Sequence, residues 1–191
     1  MGQYFFPALL KCKENNVKNT EDVIMHFYSH DYGNGLKLME HSYVGNDFVN
    51  AVCSELTGNP NRLVWCGDYA DELPNVEEKR NLYDILDSCE EKSRKPKDED
   101  NDFNWKDHPF FLNHDKKQWF DLRKIEPMEY GLTIHPLHVL TANSNGRGGG
   151  DYEGENMKAV GTWSGDLIEV TEQEPQEDGW TEIVPQFKEN W

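Results

Sequence analysis

Dense apolar runs alternate with polar stretches from the first residues onward. Residues 3–11 and 21–28 are rich in aromatic and aliphatic side chains and are separated by the polar stretch Lys13 to Thr20, which predicts two early strands joined by a loop. The turn His30-Asp31-Tyr32-Gly33-Asn34-Gly35 holds residues that tolerate positive φ, and it leads into Leu36 to His41, readable as strand or helical turn. Val44, Phe48, Val49, Val52, Cys53 and Leu56 recur at helical spacing and share one face of a helix that Gly58-Asn59-Pro60 ends. Leu63-Val64-Trp65-Cys66 is a short run bounded by turn formers, as expected for a buried strand ending at Gly67-Asp68. Residues 76–89 place Val76, Leu82, Ile85, Leu86 and Cys89 roughly in phase for a second helix.

Between Glu90 and Asp102 most residues are charged and none is a large apolar type, so this stretch is expected as a solvated loop or flexible insert outside the core. Core density resumes at Trp105, Phe110, Phe111, Leu112, Trp119, Phe120, Leu122 and Ile125, with a strand expected at 118–125. Segments 133–134, 137–140, 159–163, 167–170 and 181–184 read as further short strands. The fold class expected is α+β: an antiparallel or mixed sheet of short strands with one or two helices packed on it, in a single domain over 1–191.

Charge narrows the function classes. Thirty-six Asp and Glu against nineteen Lys and Arg give a formal charge of −17 over 191 residues, which repels a phosphate backbone and argues against direct nucleic-acid binding. No apolar run approaches the roughly 18 residues of a membrane span. The opening segment lacks a basic flank and a small-residue cleavage site, so it reads as a strand and not a signal peptide. Gly2 suits N-myristoylation, but Phe6 stands where a small hydroxyl residue is required. Cys12, Cys53, Cys66 and Cys89 show no metal-knuckle or redox spacing, as expected of reduced thiols in a cytoplasmic protein.

Three constellations carry candidate chemistry. Trp65-Cys66-Gly67-Asp68 is echoed by Trp163-Ser164-Gly165-Asp166. Either Asp68 and Asp166 stand beside an aromatic floor of Trp65 and Trp163, suited to a cation, an amine or a sugar hydroxyl, or both segments are strand ends whose Asp bonds its own main chain. Glu40 and His41, with Asp68, Tyr69 and Asp71, hold the residue types for general acid–base work or a divalent metal, while Ser42 or Asn46 alternatively serves as a helix cap. The loop from Asn143 to Gly154 offers the backbone N–H groups around Gly148 and Gly149 to an anion. Arg147, Asp151 and Tyr152 stand beside them; the competing reading is a flexible connector. The loop lacks the Lys-Ser/Thr end of a phosphate-binding P-loop and the spacing of a dinucleotide fingerprint. His26 with His30 and His135 with His138 lack supporting ligands, so no metal and no cofactor is expected. The acidic run from Glu172 to Asp178 reads as a solvated connection.

At Met1 to Tyr4, Leu38 to Ser42 and Gly67 to Asp71 the sequence resembles a group of uncharacterised bacterial and phage proteins that begin Met-Gly-Gln-Tyr and carry Leu-Met-Glu-His-Ser and Gly-Asp-Tyr-Ala-Asp segments. The resemblance covers mainly the first 75 residues. It implies a prokaryotic or viral setting and carries no catalytic assignment. Two functions are therefore expected in competition. One is an acidic binding or inhibitory module for a basic, nucleic-acid-handling host protein. The other is a pocket that binds or hydrolyses a small nucleotide- or sugar-type ligand, built from Glu40, His41, Asp68, Asp71, Arg147 and Asp151 with Trp65 or Trp163 stacking on it.

Overall fold

Strand alternation decides the layering. The structure is a computed structural model that describes residues 1–189, the side chain of Asn101 excepted. In chain order its main elements are β1 (Phe5–Leu10), β2 (Val23–His26), α1 (Asp47–Leu56), β3 (Asn61–Gly67), α2 (Leu82–Asp87), β4 (Phe110–Asn113), β5 (Gln118–Asp121), α3 (Pro136–Thr141), β6 (Ala142–Asn143), β7 (Leu167–Thr171) and β8 (Thr181–Glu182). The strands form one mixed sheet in the order β2-β1-β3-β7-β4-β5-β8, with β6 parallel to β3 and β8 parallel to β5. This is the α+β architecture expected.

Phe5 and Leu9 of β1 and Leu63 and Trp65 of β3 face one core with Phe48, Val52 and Leu56 of α1 and Leu137 of α3. The intervening Phe6, Ala8, Leu10, Val64 and Cys66 face a second core closed by Leu82, Ile85 and Leu86 of α2. The two central strands are thus buried on both faces, which is why their sequences are nearly continuous apolar runs. Asn46 caps α1 by accepting from the Phe48 N–H at 2.9 Å. Ser42, the other expected cap, instead donates its hydroxyl to the Leu38 carbonyl.

Several segments differ from the sequence expectation. Residues 137–140 are not a strand; they lie in α3, where Pro136 occupies the first turn and His135 Nδ1 accepts from the Leu137 N–H. Pro there has no intrahelical N–H to lose, so it favours a helix start. Residues 159–163 form turns through Gly161 at φ +70°. The second helix covers only 82–87 of the expected 76–89, because Lys79 takes φ +50° and a fresh start is made by the Asn81–Asp84 capping box. Segment 36–41 is a single 3-10 turn at Leu38–Glu40.

The charged stretch 90–102 is mostly exposed, as expected, but it is anchored by two buried charged residues. Arg94 is buried and grips the Asp100 carboxylate with both terminal nitrogens, Glu55 at 3.0 Å and the Tyr32 hydroxyl at 3.1 Å, above the Phe27 ring. Lys92 donates to the Thr20 carbonyl and, at 2.8 Å, to that of Val23. Arg94 and Asp100 enter the interior because each is the other's partner.

Strand β3 sets the geometry of the site. Its Asn61 and Arg62 pair with Ile168 and Leu167 of β7, while Trp65 and Cys66 pair with Ala142 and Asn143 of β6. Two strands therefore share one edge, and the turn at 163–166 fills the interval between them, bonded to both ends of Leu63.

Candidate functional site

The glycine loop, the first residues, the turn after β3 and the turn at 35–40 meet at one rim of the sheet. Gln3 N–H donates to the Gly149 carbonyl and Gly149 N–H to that of Met1, each at 3.0 Å. Asp68 N–H donates to the Tyr4 carbonyl at 2.9 Å, and the Asp68 carboxylate accepts from the Tyr4 N–H at 3.0 Å. The buried Gln3 amide bonds Ser144 Oγ, and in the orientation that satisfies both its ends its nitrogen donates to the Asp151 carboxylate at 2.8 Å. A Cβ on Gly67 would stand 2.1 Å from the Gln3 amide, so the glycine of the first Trp-x-Gly-Asp segment is required by close approach.

The loop does gather main-chain donors around an anion, but the anion is its own. Asp151 Oδ2 accepts from the N–H groups of Gly146, Arg147 and Gly148 at 2.6, 2.9 and 3.1 Å. Gly149 is engaged with Met1 and Gln3. These donors are consumed within the fold, so the expected phosphate cradle is already filled. Arg147 is likewise occupied: it forks onto Asp71 at 2.7 and 2.8 Å and donates to the Tyr69 carbonyl. Its charge and hydrogen bonds hold the Asp71 carboxyl below the ordinary value, whereas burial pushes those of Asp68 and Asp151 up. Glu40 folds back on the Lys37 N–H.

His41 lies in the core beneath this rim, with its ring closed off from solvent. Its Nε2 accepts from Trp65 Nε1 at 3.0 Å and its Nδ1 faces the Gly35 carbonyl at 3.2 Å, which fixes the proton on Nδ1. Burial pushes its pKa down to about 4. His138 packs against His41 and Trp65, with centroids 6.2 and 5.3 Å away, and His135 sits 5.9 Å beyond it. No group of three or more His, Cys, Asp or Glu side chains among the described residues is arranged to hold a metal ion.

The two tryptophans make no open floor for a ligand. Trp65 and Trp163 are fully buried, and Trp163 Nε1 donates to Gln118. Tyr152 is also buried, its hydroxyl donating to the Glu155 carbonyl and accepting from the Lys188 N–H. Asp68 and Asp166 do not converge: Asp68 follows the last residue of β3, whereas the Asp166 carbonyl accepts from Leu63. Five residues of strand separate these points, roughly 16 Å. The Asp166 carboxylate is taken by Lys116 at 2.6 Å and Asn113 at 2.9 Å.

Beside β6 the surface opens into a cleft of about 410 Å³, where Glu14, Asn143, Ser144 and Ser164 bring polar groups together and Arg147 forms a lip. Glu40, Asp68, Asp71 and Asp151 are not among its lining residues. Asn143 Nδ2 donates to Glu14, and burial raises the Glu14 carboxyl above its usual range against the pull of Asn143 and Ser164. Ser144 holds φ +71°, an uncommon conformation for a non-glycine residue. The sequence offered no sign of Glu14, which stands in a polar connection 129 positions from its partner Asn143.

No protein-family model matches the chain, and neither the curated proteins nor the solved structures contain a match to it. No helix among the described residues is long and apolar enough to cross a membrane.

Proposed function

We propose that the protein is an acidic binding or inhibitory module that engages a basic surface of a nucleic-acid-handling protein. The observation that carries this reading is the face around α2. Between residues 72 and 91 the acids Glu72, Glu77, Glu78, Asp84, Asp87, Glu90 and Glu91 are all exposed, against Lys79 and Arg80 within that segment, with Lys18 near Glu77 and Glu78 and Lys95, paired with Asp31, near Asp87 and Glu90. Arg80 is turned onto the Asp84 carbonyl and Ser88. Fixed carboxylates of this density present the charge pattern that guanidinium and ammonium groups otherwise meet on a phosphate backbone. The rim supports binding over catalysis, because its acids and its arginine are engaged in structural hydrogen bonds and its expected histidine is buried.

The test is the affinity for immobilised poly-lysine as a function of salt. Affinity should fall steeply between about 0.05 and 0.5 M salt. A variant with Glu72, Glu77, Asp87 and Glu91 changed to their amides should lose at least about tenfold at low salt, while the same change at Glu172, Glu174, Glu177 and Asp178 should lose far less. Salt-independent binding, or equal losses from the two variants, refutes the assignment.

A further inference from the structure

Glu14 is a half-buried carboxylate without a cation. Its partners are the Asn143 amide and, facing it without closing a hydrogen bond of good geometry, the Ser164 hydroxyl. Among the described residues it forms no ion pair with Lys, Arg or His, and three cations of the surrounding segments serve other acids. Lys13 pairs with Asp115 at 3.4 Å, Lys116 with Asp166, and Arg147 with Asp71. Removing a carboxylate from water is costly unless a countercharge accompanies it. The Ser164 hydroxyl adds a second unmet group, being buried with no partner. The Asn143 side chain adds a third acceptor, for its nitrogen is committed to Glu14 and its oxygen remains.

We propose that this cleft is a binding site for a primary ammonium group, with Glu14 as countercharge and the side-chain oxygens of Asn143 and Ser164 as the other acceptors. An ammonium has three donors and no acceptor, which matches these three oxygens. Val160 and Met157, the latter 45 % exposed, line the same cleft and would cover an alkyl stem. Phosphate-bearing ligands are disfavoured, since the nearby backbone donors already hold Asp151. The site is independent of the acidic face around α2.

The amine can be free or carried on a lysine side chain, and two probes separate these sources: n-butylammonium and Nα-acetyl-lysine amide, each titrated while the Glu14 carboxyl is followed by carbon NMR. Saturable binding should lower the Glu14 pKa, because a cation favours the ionised form. Binding of n-butylammonium alone identifies a small-amine site, and binding of both identifies one open to protein lysines. The Nε-acetylated lysine probe, which keeps the alkyl stem but carries no charge, should not bind. Glu14→Gln should weaken binding at least about tenfold, and Ser164→Ala, which removes a hydroxyl the fold does not use, about threefold with unchanged thermal stability. Absence of saturable binding by either amine, equal binding of the acetylated probe, or full affinity in a folded Ser164→Ala or Glu14→Gln protein overturns the proposal.

Discussion

Asp151 shows how one side chain changes the meaning of a motif. Glycines spaced through 146–150 signal backbone N–H groups free to converge, and the anion they converge on lies a few residues downstream in the same loop. Spacing alone reveals the donors and the acid but not which way the acid points. Replacing Asp151 by Ala strands three main-chain donors and should lower unfolding free energy by about 2–3 kcal/mol in urea denaturation. A change below about 0.5 kcal/mol would mean that water replaces the carboxylate. His41 offers the same lesson. Its neighbour Glu40 suggested acid–base chemistry, but its ring is held between the Gly35 carbonyl and Trp65 Nε1, the latter on a strand 24 positions away.

At the scale of elements, periodic segments were readable and paired charges were not. The face of α1 and the strands β1 and β3 announce themselves by spacing, since hydrophobic burial follows residue order. The stretch 90–102 shows no such pattern, yet it is fastened by Arg94 between Asp100 and Glu55, contacts that composition disguises as a solvated face. Arg94→Met should cost about 3–5 kcal/mol by leaving Asp100 buried without its partner, and adding Asp100→Leu should recover part of that loss. Equal stability of the single and double variants in denaturant titrations would show that the pair is not coupled. In α3 the helix signal was present in Pro136, but a short apolar run between polar residues is equally compatible with a strand.

For the molecule as a whole, the buried histidines set the acid response. His41, His135 and His138 have depressed pKa values from burial, about 4 for His41 and about 3 for His135. In the unfolded chain each titrates near 6.5, so below that pH the unfolded state binds more protons and stability falls as pH drops. His41 alone accounts for roughly 3 kcal/mol between pH 6.5 and 4. Glu14, Asp68 and Asp151, with raised carboxyls, act in the opposite sense at lower pH, so the decline should be read between 6.5 and 5. Urea titrations at pH 7, 6 and 5 should show progressively lower midpoints; a flat profile would mean that these rings exchange protons freely in the native state.

The divided edge of β3 also bears on biosynthesis. Its partners β6 and β7 begin at Ala142 and Leu167, long after β3 itself has left the ribosome. At roughly 5–20 residues per second the nascent chain carries that strand with one side unclosed for several seconds. Unpaired main-chain groups beside a run such as Leu63-Val64-Trp65-Cys66 are a template for wrong pairing. Production of this protein should therefore depend on chaperone supply and growth temperature more strongly than its finished architecture suggests.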